Sequence, residues 1–307
     1  MTDEQTDPLA RRGVVSALIA FCCFPIGDTL IKTLAGAWSP LAVASLRFCI
    51  GALGFGVILF AIHGVAGFRV RRPVMHVLRG AFLALATATF FSALFVMPLA
   101  DAAAIQFINP LLTAVFAVVF LGERLPVPGW IAIALGFAGV LIMLRPTGEA
   151  FGWAAILPLF SALGVSGMIV LNRLVATQSS IWTAQFYMAF WASVFLMLAA
   201  FIGDAVHPSL EISGPPEPRV ILVCFIVAVT AGTCHYLLYS ATISVGASAI
   251  APIVYIQLPI AAVISNRVFG DPIDDLVFLG GLLILASGIY LWLATGGVRQ
   301  LRRAVRG

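Results

Sequence analysis

Apolar residues run along this chain in ten stretches of roughly 20 residues, the length a helix needs to cross a hydrocarbon layer. They cover 14–34, 41–62, 77–97, 102–121, 128–145, 152–172, 182–203, 219–242, 247–267 and 276–295. No connection between them is long enough for a soluble domain. The longest, 204–218, is rich in proline and acid and reads as a surface loop. The pattern predicts an all-α polytopic membrane protein of ten transmembrane helices, flanked by short tails at 1–13 and 296–307.

Composition agrees. The 307 residues are 62% hydrophobic and 10% charged, with a mean hydropathy of +1.09, far from soluble averages. Cys22, Cys23, Cys49, Cys224 and Cys234 all fall in apolar stretches without metal-ligand spacing and read as small apolar filler. Arg11 and Arg12 precede the first stretch, and Ala35-Gly36-Ala37 resembles a signal-peptide cleavage site. The stretch is long for a signal core and carries Asp28 and Lys32, so it is expected to stay as a span.

The net charge of +4 matters less than its placement. With the N-terminus in the cytoplasm, twelve arginines (11, 12, 69, 71, 72, 79, 124, 173, 299, 302, 303 and 306) fall on the inner side. Arg145, Arg219 and Arg267 fall on the outer side. That bias predicts a multi-pass protein of the bacterial inner membrane with both termini cytoplasmic.

A repeat is visible. Phe120-Leu121-Gly122-Glu123 returns as Val268-Phe269-Gly270-Asp271, 148 residues later. Pro110 has a counterpart in Pro259, and Lys32 with Ser39-Pro40 is echoed by Arg173 with Ser180-Ile181. Residues 14–146 and 152–295 thus read as two five-helix copies. Five is odd, so the second copy enters the membrane upside down. Inverted repeats of this kind mark secondary transporters, with the substrate near the midplane between the halves.

The polar residues inside the spans are the candidate substrate-binding residues. Asp28, Lys32 and Arg47 lie in or beside the first two spans, where each charge costs roughly 2.5–3.5 kcal/mol on insertion scales unless it faces a cavity or a partner. Asp28 and Lys32 are spaced i,i+4. Asp28 and Arg47 each lie about 9 Å from the shared end of their spans at ~1.5 Å per residue. Arginine grips carboxylate or phosphate with a planar fork, and Asp28 either balances the bases or carries a proton. Asn109-Pro110 and Gln257-Leu258-Pro259 place helix-breaking prolines in matched spans, with Gln106, Asn109 and Gln257 supplying amides. His235, Tyr236 and Tyr239 give the eighth span its polar faces. Phe90, Phe91 and Phe95, with Thr87, Thr89 and Ser92, form an aromatic and hydroxyl row in the third span, able to meet a heterocyclic ring. Ala132 with Gly136, and Ala134 with Ala138, have the spacing of close helix contacts. Glu123 and Asp271 read as structural helix ends.

The chain lacks HExxH, a P-loop and G-x-S-x-G, and Asp271, Asp274 and Asp275 read as a solvated turn. No enzyme activity, metal or cofactor is expected. The expected partners are a small-molecule substrate and the bilayer, not nucleic acid; proton coupling and a homodimer stay open.

The run from Lys32 through Ser39-Pro40 to Arg47-Phe48, and that from Asn109-Pro110 to Gly122-Glu123-Arg124 with Gly136 and Gly139, resemble the opening and close of an EamA repeat. Residues 161–173 and 247–291 are similar in the second copy. The chain therefore resembles the EamA-like branch of the drug/metabolite transporter superfamily. The resemblance implies two inverted five-helix repeats, alternating access, and amino acids, nucleotide-like metabolites, sugars or amphipathic drugs as substrates. Asp28 ahead of Lys32 also looks like a branch that includes S-adenosylmethionine carriers. Asp271 and Arg267 depart from the family's usual Glu and apolar residue. The expected function is a secondary transporter for a small zwitterionic or anionic metabolite. An exporter of amphipathic cations, or a polytopic membrane enzyme, is the alternative.

Overall fold

Prolines open most of the helices. Proline lacks an N–H and has a preset φ, so it fits the first turn, where the N–H would go unused. In the computed structural model, α1 (Pro8–Lys32), α2 (Pro40–His63), α3 (Pro73–Val96) and α9 (Pro218–Val245) each begin on one. In α5 (Asn109–Leu121) and α6 (Val127–Leu144) proline is the second residue. Ser39 caps α2, its Oγ accepting from the Ala42 N–H at 3.2 Å. The remaining helices are α4 (Leu99–Gln106), α7 (Ile156–Val175), α8 (Ile181–Val206), α10 (Gln257–Ile264) and α11 (Asp275–Ala294). Short 3-10 turns cover Gly64–Phe68, Gly152–Ala155 and Ala251–Ile256, and a π turn covers Ser265–Phe269.

The structure describes residues 8–122, 124–144, 152–175, 180–206, 215–245, 251–271 and 275–294. Glu123, Arg145, Asp274, the arginines of the C-terminal tail and much of the 204–218 loop lie outside them, as do the side chains of Arg11 and Arg173. Among the described residues there is no strand. Eight helical segments are long and apolar enough to cross a membrane, and Val127–Ile142 and Ile253–Phe269 are shorter apolar helices. Together they match the ten stretches expected from the sequence. Gly122 (φ 68°) and Gly270 (φ 69°), the glycines of the repeated motif, both close their helices in the left-handed conformation that favours glycine.

Two stretches are interrupted in their interior. The fourth breaks at Phe107-Ile108 between α4 and α5, just ahead of Pro110. The ninth passes from 3-10 turn to α10 to π turn around Pro259.

The chain forms two compact units, 1–26 with 99–152 and 233–307, and 27–98 with 153–232. Two of the four boundaries fall inside α1 and α9. In the second unit α3 packs against α7 and α8, while α2 runs along α8. A Cβ on Gly164 of α7 would lie 2.6 Å from the Phe82 carbonyl oxygen and 2.7 Å from the Ala86 nitrogen. At Gly80, α3 presses equally closely on Trp191 of α8. The 3-10 turn Gly64–Phe68 is tied to α8 by Thr183 Oγ1, which donates to the Gly67 carbonyl at 2.9 Å. Tyr187 Oη donates to the Phe68 carbonyl at 2.6 Å.

In the first unit α11 packs along α6, and α10 against α4. A Cβ on Gly139 would lie 2.8 Å from the Gly280 carbonyl oxygen, and Gly136 meets Leu111 and Ser287. Ala132 and Gly136 are buried while Ala134 is exposed, so of the two small-residue pairs expected from the sequence, 132/136 makes the contact.

Glycine contacts of this kind tolerate no methyl group where the opposing atom is backbone. Gly164→Ala is expected to destabilise the protein by about 1–3 kcal/mol. Thermal unfolding in detergent should show a fall of about 2–4 °C per kcal/mol, and an unchanged midpoint would show that α3 and α7 can part freely.

Candidate functional site

Six of the nine expected site residues, Gln106, Asn109, His235, Tyr236, Tyr239 and Gln257, lie in the first unit. Asp28, Lys32 and Arg47 lie in the second.

In the second unit Asp28 and Arg47 come within electrostatic reach of each other as the end of α1 turns through Ala35–Ala37 into α2, and Lys32 ends α1. Asp28, Lys32 and Arg47 are all half-buried. The Arg47 guanidinium carbon lies 4.7 Å from the centroid of the Phe48 ring and 5.5 Å from that of Phe91 on α3, which is 3% exposed. These distances suit attraction between a cation and an aromatic quadrupole. Arg47 is within electrostatic reach of the Asp28 carboxylate and of Cys224 on α9. Arg219, at the start of α9, donates to the Thr33 carbonyl at 3.4 Å and ties α9 to the end of α1. Of the aromatic row in the third span, Phe91 faces the Arg47 guanidinium. Thr89 and Ser92 donate to their own helix, to the Leu85 and Ala88 carbonyls at 2.8 and 2.7 Å.

In the first unit the amides sit at the helix breaks. Gln106 ends α4 and Asn109 begins α5, both half-buried. The Asn109 carbonyl accepts from Thr113 Oγ1 at 2.8 Å. The Gln257 side-chain nitrogen donates to the Val254 carbonyl at 3.2 Å, so this amide steadies the turn that precedes it. His235 meets Phe24 of α1 edge-on, with centroids 5.4 Å apart. Tyr239 is half-buried, whereas Tyr236 is 37% exposed. Asp271 accepts from Ser265 Oγ at 2.7 Å, and Ser265 Oγ also accepts the Ala100 N–H at 3.4 Å. This arrangement fits the structural role expected of Asp271.

Sequence reasoning missed two features. Arg79, counted among the basic residues of the inner side, lies inside α3 and is 3% exposed. Its Nε donates to Asn172 Oδ1 of α7 at 2.6 Å, Nη1 faces His76 Nδ1 at 3.4 Å, and Nη2 faces Met188 sulfur of α8 at 3.7 Å. The i,i+3 spacing of His76 and Arg79 was the available signal. Asp101, placed just outside the fourth span, lies in the first turn of α4 and is 4% exposed.

The helical architecture defines a polytopic, all-α membrane protein. Residues 11–145 match the EamA-like transporter family, and this match together with the transporter names of its relatives makes the chain a transporter, not an enzyme. The resemblance to the drug/metabolite transporter superfamily drawn from its sequence therefore stands. An S-adenosylmethionine uptake transporter of Rickettsia prowazekii is 24% identical over 91% of this chain and 92% of its own. A riboflavin transporter of Rhizobium johnstonii is 27% identical over 74% and 73%. A pseudopaline exporter of Pseudomonas aeruginosa is 28% identical over 58% and 63%. A solved crystal structure, 20% identical, shares the fold with a TM-score of 0.57 over 93% of this chain and 96% of that one.

The Arg79 joint links three helices through one buried guanidinium. Asn172→Ala removes a charge-assisted hydrogen bond of the kind worth about 1.5–3 kcal/mol, and the midpoint of thermal unfolding should fall accordingly. Wild-type stability in this variant would show that Asn172 is not needed to hold Arg79.

Proposed function

We propose that the protein is a secondary active transporter that moves a small polar metabolite across the bacterial inner membrane by alternating access. The metabolite is zwitterionic or anionic. In this reading the two five-helix copies, 14–146 and 152–295, are inverted repeats, and both termini are cytoplasmic. A homodimer is compatible with it.

The observation that carries the proposal is Arg47. It is half-buried in a membrane-length helix, set beside Phe48 and Phe91 and within electrostatic reach of Asp28. Ionisable groups inside a membrane mark substrate or ion pathways. A guanidinium beside aromatic rings has the N–H fork that recognises a carboxylate. Lys32 adds a second cation. Asp28 balances the two bases or takes up the coupling proton. Gln106, Asn109, Gln257, His235, Tyr236 and Tyr239 are the neutral polar residues of the proposed substrate-binding set. One acid among two bases is a poor cation site, which disfavours export of amphipathic cations. The relatives support metabolite transport, since they are named for S-adenosylmethionine, riboflavin and pseudopaline. Both uptake and export occur among those names, so direction has to be measured.

The test is flux in reconstituted vesicles, with S-adenosylmethionine, riboflavin and methionine as probes. Arg47→Ala should cut flux of an accepted carboxylate-bearing probe, S-adenosylmethionine or methionine, by about tenfold or more, each tenfold step standing for 1.4 kcal/mol, at unchanged protein level. Arg47→Lys, which keeps the charge and loses the fork, should fall between. Wild-type flux in Arg47→Ala would remove this residue from the mechanism.

A further inference from the structure

Among the described residues, one tyrosine combines deep burial with an unanswered hydroxyl. Tyr255 lies in the 3-10 turn Ala251–Ile256, just ahead of α10, and is 5% exposed. Its Oη is buried with no hydrogen-bond partner. Leaving such a group unmet is destabilising relative to phenylalanine, which fills the same volume without a hydroxyl.

The surroundings are built around this side chain. Its hydroxyl rests on Gly288 of α11, where a Cβ would coincide with it. One face of α11 meets both interrupted stretches, and at Gly288 it makes room for the Tyr255 hydroxyl. Seven residues before Gly288, Gly281 meets Ala104 of α4, with 3.8 Å from the glycine's Cβ position to the alanine. The Tyr255 ring lies 5.7 Å from that of Phe107, inside the break between α4 and α5, at an interplanar angle of 38°. Both helix interruptions in this unit therefore bring an aromatic ring to one place. Half-buried hydrogen-bonding groups belong to the same unit: Gln106 and Asn109 flank the Phe107 break, Gln257 follows Tyr255 by two residues, and His235 packs on Phe24. Ile253, Val254 and Ile256, the neighbours of Tyr255 in the turn, pack on the same apolar cluster as Phe24.

We infer that Tyr255 is a specificity residue by which this unit reads the heteroaromatic ring of the substrate, its hydroxyl bonding the ring edge. Aromatic faces beside amide, imidazole and phenol groups suit a flat ring with polar edges. An aliphatic amino acid or a sugar would leave the aromatic faces unused. The hydroxyl gains its partner when the ring leaves its seat on Gly288, so a ligand that supplies that partner favours the unseated position. The inference rests on the transport reading above and deepens it, because it assigns the substrate a heteroaromatic ring.

The experiment compares wild type with Tyr255→Phe in reconstituted vesicles, with S-adenosylmethionine and riboflavin as ring-bearing probes and methionine as a ring-free one. Tyr255→Phe should raise KM for an accepted ring-bearing probe by about tenfold, the equivalent of one lost hydrogen bond to a polar ligand. KM for methionine and the maximal rate should stay as in wild type. The unfolding midpoint should equal or exceed that of wild type, because no hydrogen bond of this conformation is lost. Equal KM values in the two proteins for the ring-bearing probes, or a parallel rise for methionine, would overturn the inference. Wild-type protein that moves methionine but neither ring-bearing probe overturns this inference and leaves the transport reading standing. Wild-type protein that moves none of the three overturns both.

Discussion

Hydrocarbon offers no hydrogen bonds, so a polar group carried into a span is costly unless another part of the protein meets it. Much of the structure follows from that. Hydroxyls along the helices turn back onto the carbonyl one turn earlier, as Thr89, Ser92, Ser166 and Thr230 do. Such residues look like a polar stripe in one dimension, but in space they are answered within their own helix. The polar groups not answered in this way are fewer, and the candidate site residues among them sit where helices break or where two ends meet.

Close packing supplies the other half of the account. Helices in a bilayer gain little from hiding apolar surface, since lipid is equally apolar, so contact relies on shape. Gly164 against the backbone of α3, and Gly139 against the Gly280 carbonyl, let main chains approach until only hydrogen atoms separate them. Outward faces keep large apolar residues instead: Val57 and Phe120 are each 69% exposed and Phe201 is 62% exposed. These are the surfaces lipid would cover.

Most of the helical architecture was legible in one dimension because apolar length and proline placement are local signals. The span limits agree to within a few residues, and the break before Pro110 follows from the missing N–H. The candidate site was legible only in part. Asp28, Lys32 and Arg47 stood out because charge is rare in apolar stretches, and their neighbourhood follows from the short turn between α1 and α2. Arg79 was misjudged for the opposite reason: it lies near a span end, where arginines usually reach for headgroups. Its burial depends on Asn172 and Met188, 93 and 109 residues away. Tyr255 was equally hidden, since its seat is an absence, the missing side chain of Gly288. The division into two compact units, which interleave segments from both ends of the chain, is likewise a property of contacts that no sequence stretch announces.

The turn between α1 and α2 has a practical use. Ala35, Gly36 and Ala37 are exposed, Gly36 sits at φ 82° with open space where a side chain would be, and the turn adjoins Lys32. The native thiols are buried or half-buried. A cysteine introduced at Ala35 or Ala37 would thus give a spectroscopic label an accessible anchor a few residues from the charged trio. The label would watch that corner of the molecule during turnover without displacing any packed side chain.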